Sequence, residues 1–367
     1  MAADRFQSRQ QKLISSLKAS GAEALLVTNF TNVTWLTGFS GDDSYLLIGK
    51  SRTVLISDSR YQTQIAQECP GLECVIRDRT VTVVTASAKT IEAQKLKKVA
   101  FESGSMTVDG FEKVRLACSG VEFIPLAGAI EDLRMIKDAT EIEEIRRAVH
   151  IAQRGFDVLR GSLRADQTEL EVAHDLEHAM RKLGAKGTSF PPIIAVGPRA
   201  ALPHARPTGA TIGSAGFVLV DWGAQMPSGY RSDLTRVLVT SKMSPKLEKV
   251  YGVVLRAQLA GIEKIGPGVK CAEVDATARK VIEDAGFGKQ FGHGLGHGIG
   301  LDIHENPRMS SASETILQPG MIVTVEPGIY LEGWGGVRIE DDVLVTKTGC
   351  EVLSSVSKTL DQMLIPL

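Results

Sequence analysis

The sequence predicts a protein of the α/β (α+β) class with a smaller N-terminal domain and a larger C-terminal domain. Three observations support this prediction. The 367 residues exceed the usual length of one domain. Helical and β-rich segments alternate through the first third of the chain, and beyond it one pattern of strands and acidic residues occurs twice. The pattern changes near residue 130, so we expect domains at 1–130 and 131–367.

The composition favours a folded protein without nucleic-acid or membrane partners. The chain has 42 Lys and Arg against 43 Asp and Glu, so its net charge of -1 gives no general attraction to nucleic acid or anionic membranes. No apolar run approaches the roughly 20 residues that span a bilayer. The first residues, MAADRFQSRQQK, lack the apolar centre of a signal peptide. Five scattered cysteines are typical of reduced thiols. We therefore expect a cytoplasmic location.

The first domain is predicted to contain a small sheet with helices. Apolar residues at helical spacing between Phe6 and Leu17 predict a helix that ends at Gly21. β-rich runs separated by turn residues follow this helix. These runs are 24–27, 45–48, 54–56, 81–84 and 99–101.

Four amphipathic helices are predicted in the second domain. Capping boxes mark the first two, and a serine followed by proline at the first helical position marks the third. Apolar residues at helical spacing follow each of these signals. The helices begin at Thr140 with Glu143, at Thr168 with Glu171, at Ser244 with Pro245, and near residue 272.

A weak internal repeat occupies the rest of the second domain. Each copy has an apolar strand that ends at an acid, then a loop, a second acid and another apolar strand. The first copy comprises 217–221 and 233–240, and the second comprises 322–326 and 340–346. Two such halves predict a pseudo-symmetric sheet with a site between the halves. Chance similarity between β-branched runs is the alternative explanation.

The four acids of the repeat are Asp221, Asp233, Glu326 and Glu340. Acids at the ends of apolar strands are expected to be partly buried, and burying an ionised carboxylate without a partner is costly. Either they lie at exposed strand ends, or they converge on cations. If they converge, two divalent metal ions would cancel their four negative charges.

Three of the seven histidines lie in the segment FGHGLGHGIGLDIHENP, namely His293, His297 and His304. Alternating glycines disfavour a helix here and favour an extended, closely packed segment. Histidine often serves as a metal ligand or an acid–base group, although packing is the alternative. No GxGxxG motif supports nucleotide binding, and no GxSxG motif supports a serine triad. His174 and His178 are expected at exposed helix positions.

The ordered set Asp221, Asp233, His297, Glu326 and Glu340 resembles the five metal ligands of the pita-bread metallopeptidases. The segments DWGAQMPSGYRSDLTR, VEPGIY and GGVRIEDD strengthen the likeness, which extends through most of 138–350. The motifs at 35–39 and 58–61 resemble the creatinase-type N-terminal domain. The resemblance therefore implies a creatinase-like domain at 1–130 and a catalytic pita-bread domain at 131–367, as in aminopeptidase P and prolidase. Creatinase itself lacks the full ligand set, and methionine aminopeptidases lack the N-terminal domain.

The resemblance also implies roles for individual residues. Asp221 would bind one metal, His297 with Glu326 would bind the other, and Asp233 with Glu340 would bridge both. The mainly oxygen ligands favour Mn²⁺, with Co²⁺ or Zn²⁺ also accepted. Two such ions would hold a bridging hydroxide that attacks the scissile carbonyl. Glu326 is implied as the catalytic acid–base.

Further residues are implied in substrate binding and catalysis. His204 and His304 would donate hydrogen bonds to the carbonyl or the oxyanion, and His293 would line the proline side of the pocket. Arg338 lies two residues before Glu340 and is expected to orient an acidic ligand, with a surface salt bridge as the alternative. Arg308 is a candidate clamp for a substrate carboxylate, with a solvated arginine as the alternative.

The resulting function prediction is an aminopeptidase that removes the first residue from peptides with proline at the second position. An Xaa-Pro dipeptidase (prolidase) is the alternative, and a non-catalytic pita-bread binding module is a further one. Small peptides are the expected partners. The resemblance also implies a homodimer.

Overall fold

The computed structural model describes residues 2–365 and 367, and the chain divides into two compact units. The first unit extends to Arg134, and the second comprises Met135–Leu367. Among the described residues, none of the helices has the length and apolar character needed to cross a membrane. We describe each unit by itself.

The N-terminal unit is built on a six-stranded mixed sheet. The strand order is β4-β3-β2-β1-β5-β6, with β1 to β3 antiparallel to one another and the remaining neighbours parallel. The strands are β1 (Ala24–Val27), β2 (Tyr45–Gly49), β3 (Thr53–Asp58), β4 (Glu73–Arg77), β5 (Lys98–Glu102) and β6 (Glu122–Leu126). Four of the five predicted strand runs are therefore confirmed.

The fifth predicted run, 81–84, is wrong because a helix begins there. The Thr82 side chain accepts a hydrogen bond from the Thr85 N–H (3.1 Å) and caps this helix. Ala88 and Ile91 bury one face of the helix against the sheet, so tertiary packing overrides the β propensity of the valines. The helices of this unit are α1 (Ala2–Leu17), α2 (Phe30–Thr37), α3 (Gln62–Glu68), α4 (Val83–Ala93), α5 (Val108–Ala117) and α6 (Ala129–Arg134).

The C-terminal unit contains a three-stranded sheet, a five-stranded sheet and two short ribbons. The three-stranded sheet has the order β11-β9-β8, and the five-stranded sheet has the order β13-β12-β14-β17-β18; both are antiparallel. Their strands are β8 (Ile193–Val196), β9 (Phe217–Trp222), β11 (Leu234–Val239), β12 (Gly296–Gly298), β13 (Glu305–Met309), β14 (Ile322–Val325), β17 (Asp341–Val345) and β18 (Cys350–Val352). The ribbons pair β7 (Gly187–Thr188) with β10 (Ala224–Gln225), and β15 (Gly328–Leu331) with β16 (Gly335–Arg338).

Both copies of the predicted repeat form antiparallel strand pairs. In the first copy β9 pairs with β11, and in the second β14 pairs with β17. An antiparallel bridge between Thr235 and Glu340 connects the two copies. The bridge brings the acidic strand ends of the two halves together.

Two long helices accompany each half of this unit. They are α7 (Ala139–Ser162), α8 (Glu169–Lys182), α9 (Pro245–Lys264) and α10 (Cys271–Asp284). The predicted capping box of Thr168 and Glu171 is confirmed. The box predicted at Thr140 is wrong, because Asp138 caps α7 and Glu141 completes its capping box, so the helix begins at Ala139.

The pleat of β9 sorts its residues between two cores. Val220 and Trp222 face α7, where Trp222 stacks on Phe156 with ring centroids 4.2 Å apart. Phe217 and Leu219 face the other core, which includes residues of α9 and α10. Period two therefore places Asp221 on the same side as Leu219.

Candidate metal centre

A cavity of about 790 Å³ in the C-terminal unit contains every candidate site residue. Strand ends from both halves supply its acidic wall. The predicted residues along its lining are Asp221, Asp233, His297, Glu326, Glu340, His204, His293, His304, Arg308 and Arg338. The alternative in which the acids lie at scattered exposed strand ends is therefore wrong.

Each of the four acids lies at the end of a strand or directly next to one. Asp221 is near the end of β9, and Asp233 directly precedes β11. Glu326 directly follows β14, and Glu340 directly precedes β17. Since β9 pairs with β11 and β14 pairs with β17, the bridge between the halves brings all four ends to the same cavity.

His297 lies on the short strand β12, between β13 and β14, where the backbones pack very closely. A Cβ atom on Gly296 would lie 2.1 Å from the Thr324 carbonyl oxygen, and one on Gly298 would lie 2.1 Å from that of Asn306. The alternating glycines thus permit β12 to fit between its neighbours. The predicted extended conformation is confirmed for this part of the segment, whereas His293 lies outside the strand.

The hydrogen bonds of His297 fix the direction of its ring. Nδ1 lies 3.0 Å from the Gly298 carbonyl oxygen, which can only accept, so Nδ1 carries the proton in the neutral ring. Nε2 then directs its lone pair at the acids, 3.3 Å from Glu326 Oε1 and 3.7 Å from Asp233 Oδ2. Burial, followed by the charge of His304, lowers the pKa of His297 to about 3. A neutral ring in this orientation is suited to a metal ligand.

The four carboxyl groups are buried close to one another, and both burial and mutual repulsion disfavour their charged forms. Burial raises the pKa of Asp221, and it raises the pKa of Glu326 to about 7. For Asp233 and Glu340, burial and then the neighbouring carboxylates raise the pKa well above the ordinary value. Keeping all four carboxyl groups ionised therefore requires positive charge beside them.

The residues suit divalent metal ions both in the placement of their ligand atoms and in their charge. Within the described part of the chain, Oδ1 of Asp221 and Oδ1 of Asp233 are buried and have no hydrogen-bond partner. Donor atoms of Asp233, His297 and Glu340 lie within 4.8 Å of one another. When ionised, the four carboxylates together with the guanidinium of Arg338 carry a net charge of three negative units, and bound divalent cations would offset this charge. Oxygen ligands with one imidazole suit hard or borderline ions.

Arg338 is a buried member of the cluster, with 3% of its side chain exposed. It forms a salt bridge with Asp221 through Nη2, and its Nε donates to Thr235 Oγ1 (3.1 Å). Its Nη1 donates to the Tyr330 hydroxyl (2.8 Å). The surface salt bridge considered for Arg338 is therefore wrong. Arg308 is exposed and lines the same cavity.

Three further histidines, His204, His293 and His304, line the same cavity as the acidic cluster. The His304 ring stands nearly perpendicular to that of His297, with centroids 4.4 Å apart. His293 Nε2 lies 3.0 Å from the Tyr330 hydroxyl, and burial lowers the pKa of His293 to about 4. His204 projects from the loop after β8 and is exposed. His174 and His178 are exposed on α8, as predicted.

Three hydroxyl residues of the centre were not predicted as site residues. Thr235 donates to Glu340 Oε2 (2.5 Å), Thr324 donates to Glu326 Oε1 (3.2 Å), and Tyr330 joins Arg338 to His293. A signal existed for the two threonines, because each lies two residues from an acid and shares its strand face. Tyr330 lies four residues after Glu326, beyond a turn, and periodicity gives no signal for it.

Comparisons with known proteins identify the family. Residues 143–347 match the model of metallopeptidase family M24, and residues 9–136 match that of the creatinase/prolidase N-terminal domain. An Xaa-Pro dipeptidase of Pyrococcus horikoshii is 34% identical over 359 residues, covering 97% of this chain and 99% of that protein. The chain therefore belongs to metallopeptidase family M24.

Solved structures agree with this assignment. An Xaa-Pro dipeptidase from Bacillus anthracis aligns with a TM-score of 0.94 and 39% identity, covering 99% of this chain and 100% of that chain. An X-Pro aminopeptidase from Thermotoga maritima aligns with a TM-score of 0.88 and 34% identity, covering 98% and 100%. The fold is a creatinase-like domain followed by a pita-bread domain, and the protein is a metallo-exopeptidase whose family uses divalent metal ions.

Proposed function

We propose that this protein is an Xaa-Pro dipeptidase (prolidase), which hydrolyses the bond between a first residue and a C-terminal proline. The convergence of Asp221, Asp233, His297, Glu326 and Glu340 in one cavity carries this proposal. The dipeptidases of P. horikoshii and B. anthracis resemble the chain over nearly its whole length. These relatives support the dipeptidase better than the aminopeptidase P that the sequence analysis preferred.

The five residues would hold two divalent metal ions, and we propose Mn²⁺ because four of the five ligands are carboxylates. Asp221 would bind one ion, His297 with Glu326 the other, and Asp233 with Glu340 both. Bound ions of this kind lower the pKa of a coordinated water and polarise a carbonyl group.

The protein's own groups would orient the substrate and transfer protons. The nitrogen of the scissile amide must gain a proton before it can leave as an amine, and in an Xaa-Pro bond that nitrogen has no N–H of its own. Glu326 would pass that proton to the nitrogen from the attacking water. His204 and His304 would donate hydrogen bonds to the scissile carbonyl oxygen as it gains negative charge.

The cavity also offers complementary surfaces for the two ends of the substrate. Phe190, Pro191 and Tyr330 line it with His293, and they would contact the apolar proline ring. The exposed guanidinium of Arg308 lies along the same cavity and would form a bidentate pair with the free carboxylate of proline. A dipeptide places that carboxylate directly on the proline residue.

The main test compares alanyl-proline with alanyl-prolyl-alanine as substrates in the presence of Mn²⁺, Co²⁺ or Zn²⁺. The dipeptidase hydrolyses only the first peptide. Cleavage of the tripeptide after its first residue would instead favour an aminopeptidase P, a candidate that the similarity to the T. maritima X-Pro aminopeptidase supports. Failure to cleave either peptide with any of these ions would favour a binding module.

A second test addresses the recognition of the carboxylate by Arg308. Arg308→Gln should raise KM for alanyl-proline about 10-fold or more, because a hydrogen bond to a charged group is lost. The same change should leave KM for alanyl-prolinamide unchanged, because that substrate has no carboxylate. Equal losses on both substrates would contradict the clamp. The homodimer and the cytoplasmic location stay predictions.

A further inference from the structure

One wall of the cavity is the loop between β8 and β9, and residues 197–208 of this loop carry His204. His204 is itself exposed, so its side chain has little packing to hold it. A group that must donate to a developing charge needs an accurate position. The position of His204 therefore depends on the backbone of its loop.

A buried carboxylate on α8 accepts hydrogen bonds from both ends of the segment 196–208. Glu169 is 0% exposed and lies at the first turn of the helix. Its Oε1 accepts a hydrogen bond from the Val196 N–H (2.9 Å), just before the loop. Its Oε2 accepts from both the N–H (2.8 Å) and the hydroxyl (2.7 Å) of Thr208, at the end of the loop.

Arg199 adds a charged link between this carboxylate and the middle of the loop. Its Nε lies 2.9 Å from each oxygen of Glu169, and its Nη2 donates to the Arg206 carbonyl oxygen (2.6 Å). The Arg206 carbonyl is two residues after His204. Hydrogen bonds to an ionised carboxylate are stronger than neutral ones, so Glu169 and Arg199 give this segment one preferred path.

The strand that carries Arg338 also contacts the backbone of this loop. Arg338 Nη1 lies 3.3 Å from the carbonyl oxygen of Pro203, directly before His204. A Cβ atom on Gly336 would lie 2.1 Å from the Ala200 carbonyl oxygen, so β16 contacts the loop backbone directly. Both α8 and the strand that carries Arg338 therefore contact the backbone of the loop.

We propose that Glu169 is a positioning residue for catalysis, which acts on the substrate carbonyl through the loop and His204. This inference rests on the proposed peptidase function. The side-chain oxygens of Glu169 accept hydrogen bonds from Val196, at the end of β8, and from Arg199 and Thr208 in the loop. Among the described residues, those that line the cavity do not include Glu169.

The first test measures the loop without reference to activity. Glu169→Gln keeps the size of the side chain but replaces one acceptor oxygen with an NH₂ group, which cannot accept from Thr208 or Arg199. Hydrogen exchange at the amides of Val196 and Thr208 should accelerate at least about 10-fold, because local opening becomes easier. The control is Glu171→Gln, which changes an exposed acid in the same helical turn. Unchanged exchange in Glu169→Gln would overturn the proposal.

The second test measures whether Glu169 acts through His204. Glu169→Gln should lower kcat for alanyl-proline about 10- to 100-fold with a smaller change in KM, while bound metal per chain stays at the wild-type level. In a His204→Ala background the same change should add almost no further loss. Full additivity of the two changes, or loss of bound metal in Glu169→Gln, would overturn the proposal.

A second variant keeps the proposal testable if Glu169→Gln folds poorly. Arg199 is partly exposed, so Arg199→Gln should fold and give the same pattern to a smaller extent. Wild-type activity separates the two hypotheses. If the wild type hydrolyses neither alanyl-proline nor alanyl-prolyl-alanine, the peptidase function fails, whereas unchanged exchange or additive losses in an active enzyme reject only the role of Glu169.

Discussion

Thr235 and Glu340 are joined twice across the two halves of the C-terminal unit. The Thr235 hydroxyl donates to Glu340 Oε2 (2.5 Å), and the Glu340 N–H donates to the Thr235 carbonyl oxygen (3.2 Å). The hydroxyl also accepts a hydrogen bond from Arg338 Nε. Thr235 therefore links the buried guanidinium of Arg338 to Glu340, a candidate bridging ligand of the metal ions. An outer contact of this kind fixes the orientation of a metal ligand.

Removal of this hydroxyl should weaken metal binding. Thr235→Val keeps the side-chain shape but leaves Glu340 Oε2 without its donor, so we expect Mn²⁺ affinity to fall about 10- to 100-fold. Thr235→Ser keeps the hydroxyl and should bind nearly as tightly as the wild type. Calorimetric titration of the metal-free proteins with Mn²⁺ measures the effect. Equal affinities for the valine and serine variants would contradict a role for the hydroxyl.

His297 should be required for both metal content and hydrolysis. We expect His297→Ala to abolish cleavage of alanyl-proline and to lower bound metal, because the buried Nε2 faces the acids. His174→Ala changes an exposed histidine of α8 and should leave both quantities near the wild-type values. Elemental analysis with a peptidase assay provides the comparison, and similar effects from the two variants would reject the ligand assignment.

Arg338 should stabilise the metal-free protein more than a surface arginine does. Arg338→Met leaves the buried carboxylate of Asp221 without its partner, and breaking a buried pair costs about 3–5 kcal/mol of unfolding free energy. Arg147→Met removes an exposed pair with Glu144 and should cost less than about 1 kcal/mol. Urea unfolding in the presence of a chelator measures both. Comparable losses would argue against the buried network.

A pH-dependent contribution to stability is expected in the N-terminal unit from Asp58. A hydrogen bond from the Arg60 side chain is the main cause that lowers the pKa of Asp58 from 3.8 to about 2 in the folded protein. The unfolded chain therefore takes up the proton first as the pH falls. The stabilisation is present above the ordinary pKa and is lost as the pH falls toward about 2.

Asp58→Asn should reduce this acid sensitivity. Between about pH 5 and pH 3, the urea midpoint of the variant should fall less than that of the wild type. Asp109→Asn alters an exposed acid of the same unit and serves as the control. If Asp58→Asn and the wild type lose stability in parallel over this range, the charged contacts of Asp58 do not contribute.

Local signals predicted the strands of the repeat well. Val218 and Val220 alternate with Leu219 and Asp221 as a two-sided buried strand requires, and the same holds for the strand before Glu326. The helix that begins at Val83 could not be predicted in this way. Its valines favour a strand locally, and the helix forms because Thr82 caps it and its apolar face packs on the sheet.

The chemistry of the site was predictable in part. Resemblance indicated the acids and histidines that the cavity brings together, but spacing alone could not place Asp233 near His297, because 64 residues of chain separate them. Arg338 was predicted near the acids from its position two residues before Glu340. Its burial and its contact with Tyr330 depend on the pairing of β15 with β16 and on the contact of Arg338 with the loop after β8, which leave no periodic trace in the sequence.

The number of manganese ions bound per chain tests the central claim most directly. After metal-free protein is loaded with Mn²⁺ and freed of excess ions, the wild type should retain two ions per chain, because the five residues supply ligands and charge for two. Asp233→Asn removes charge from a candidate bridging ligand and should retain fewer. A wild-type chain that retains no manganese, or an Asp233→Asn variant that retains as much as the wild type, would contradict the dinuclear centre.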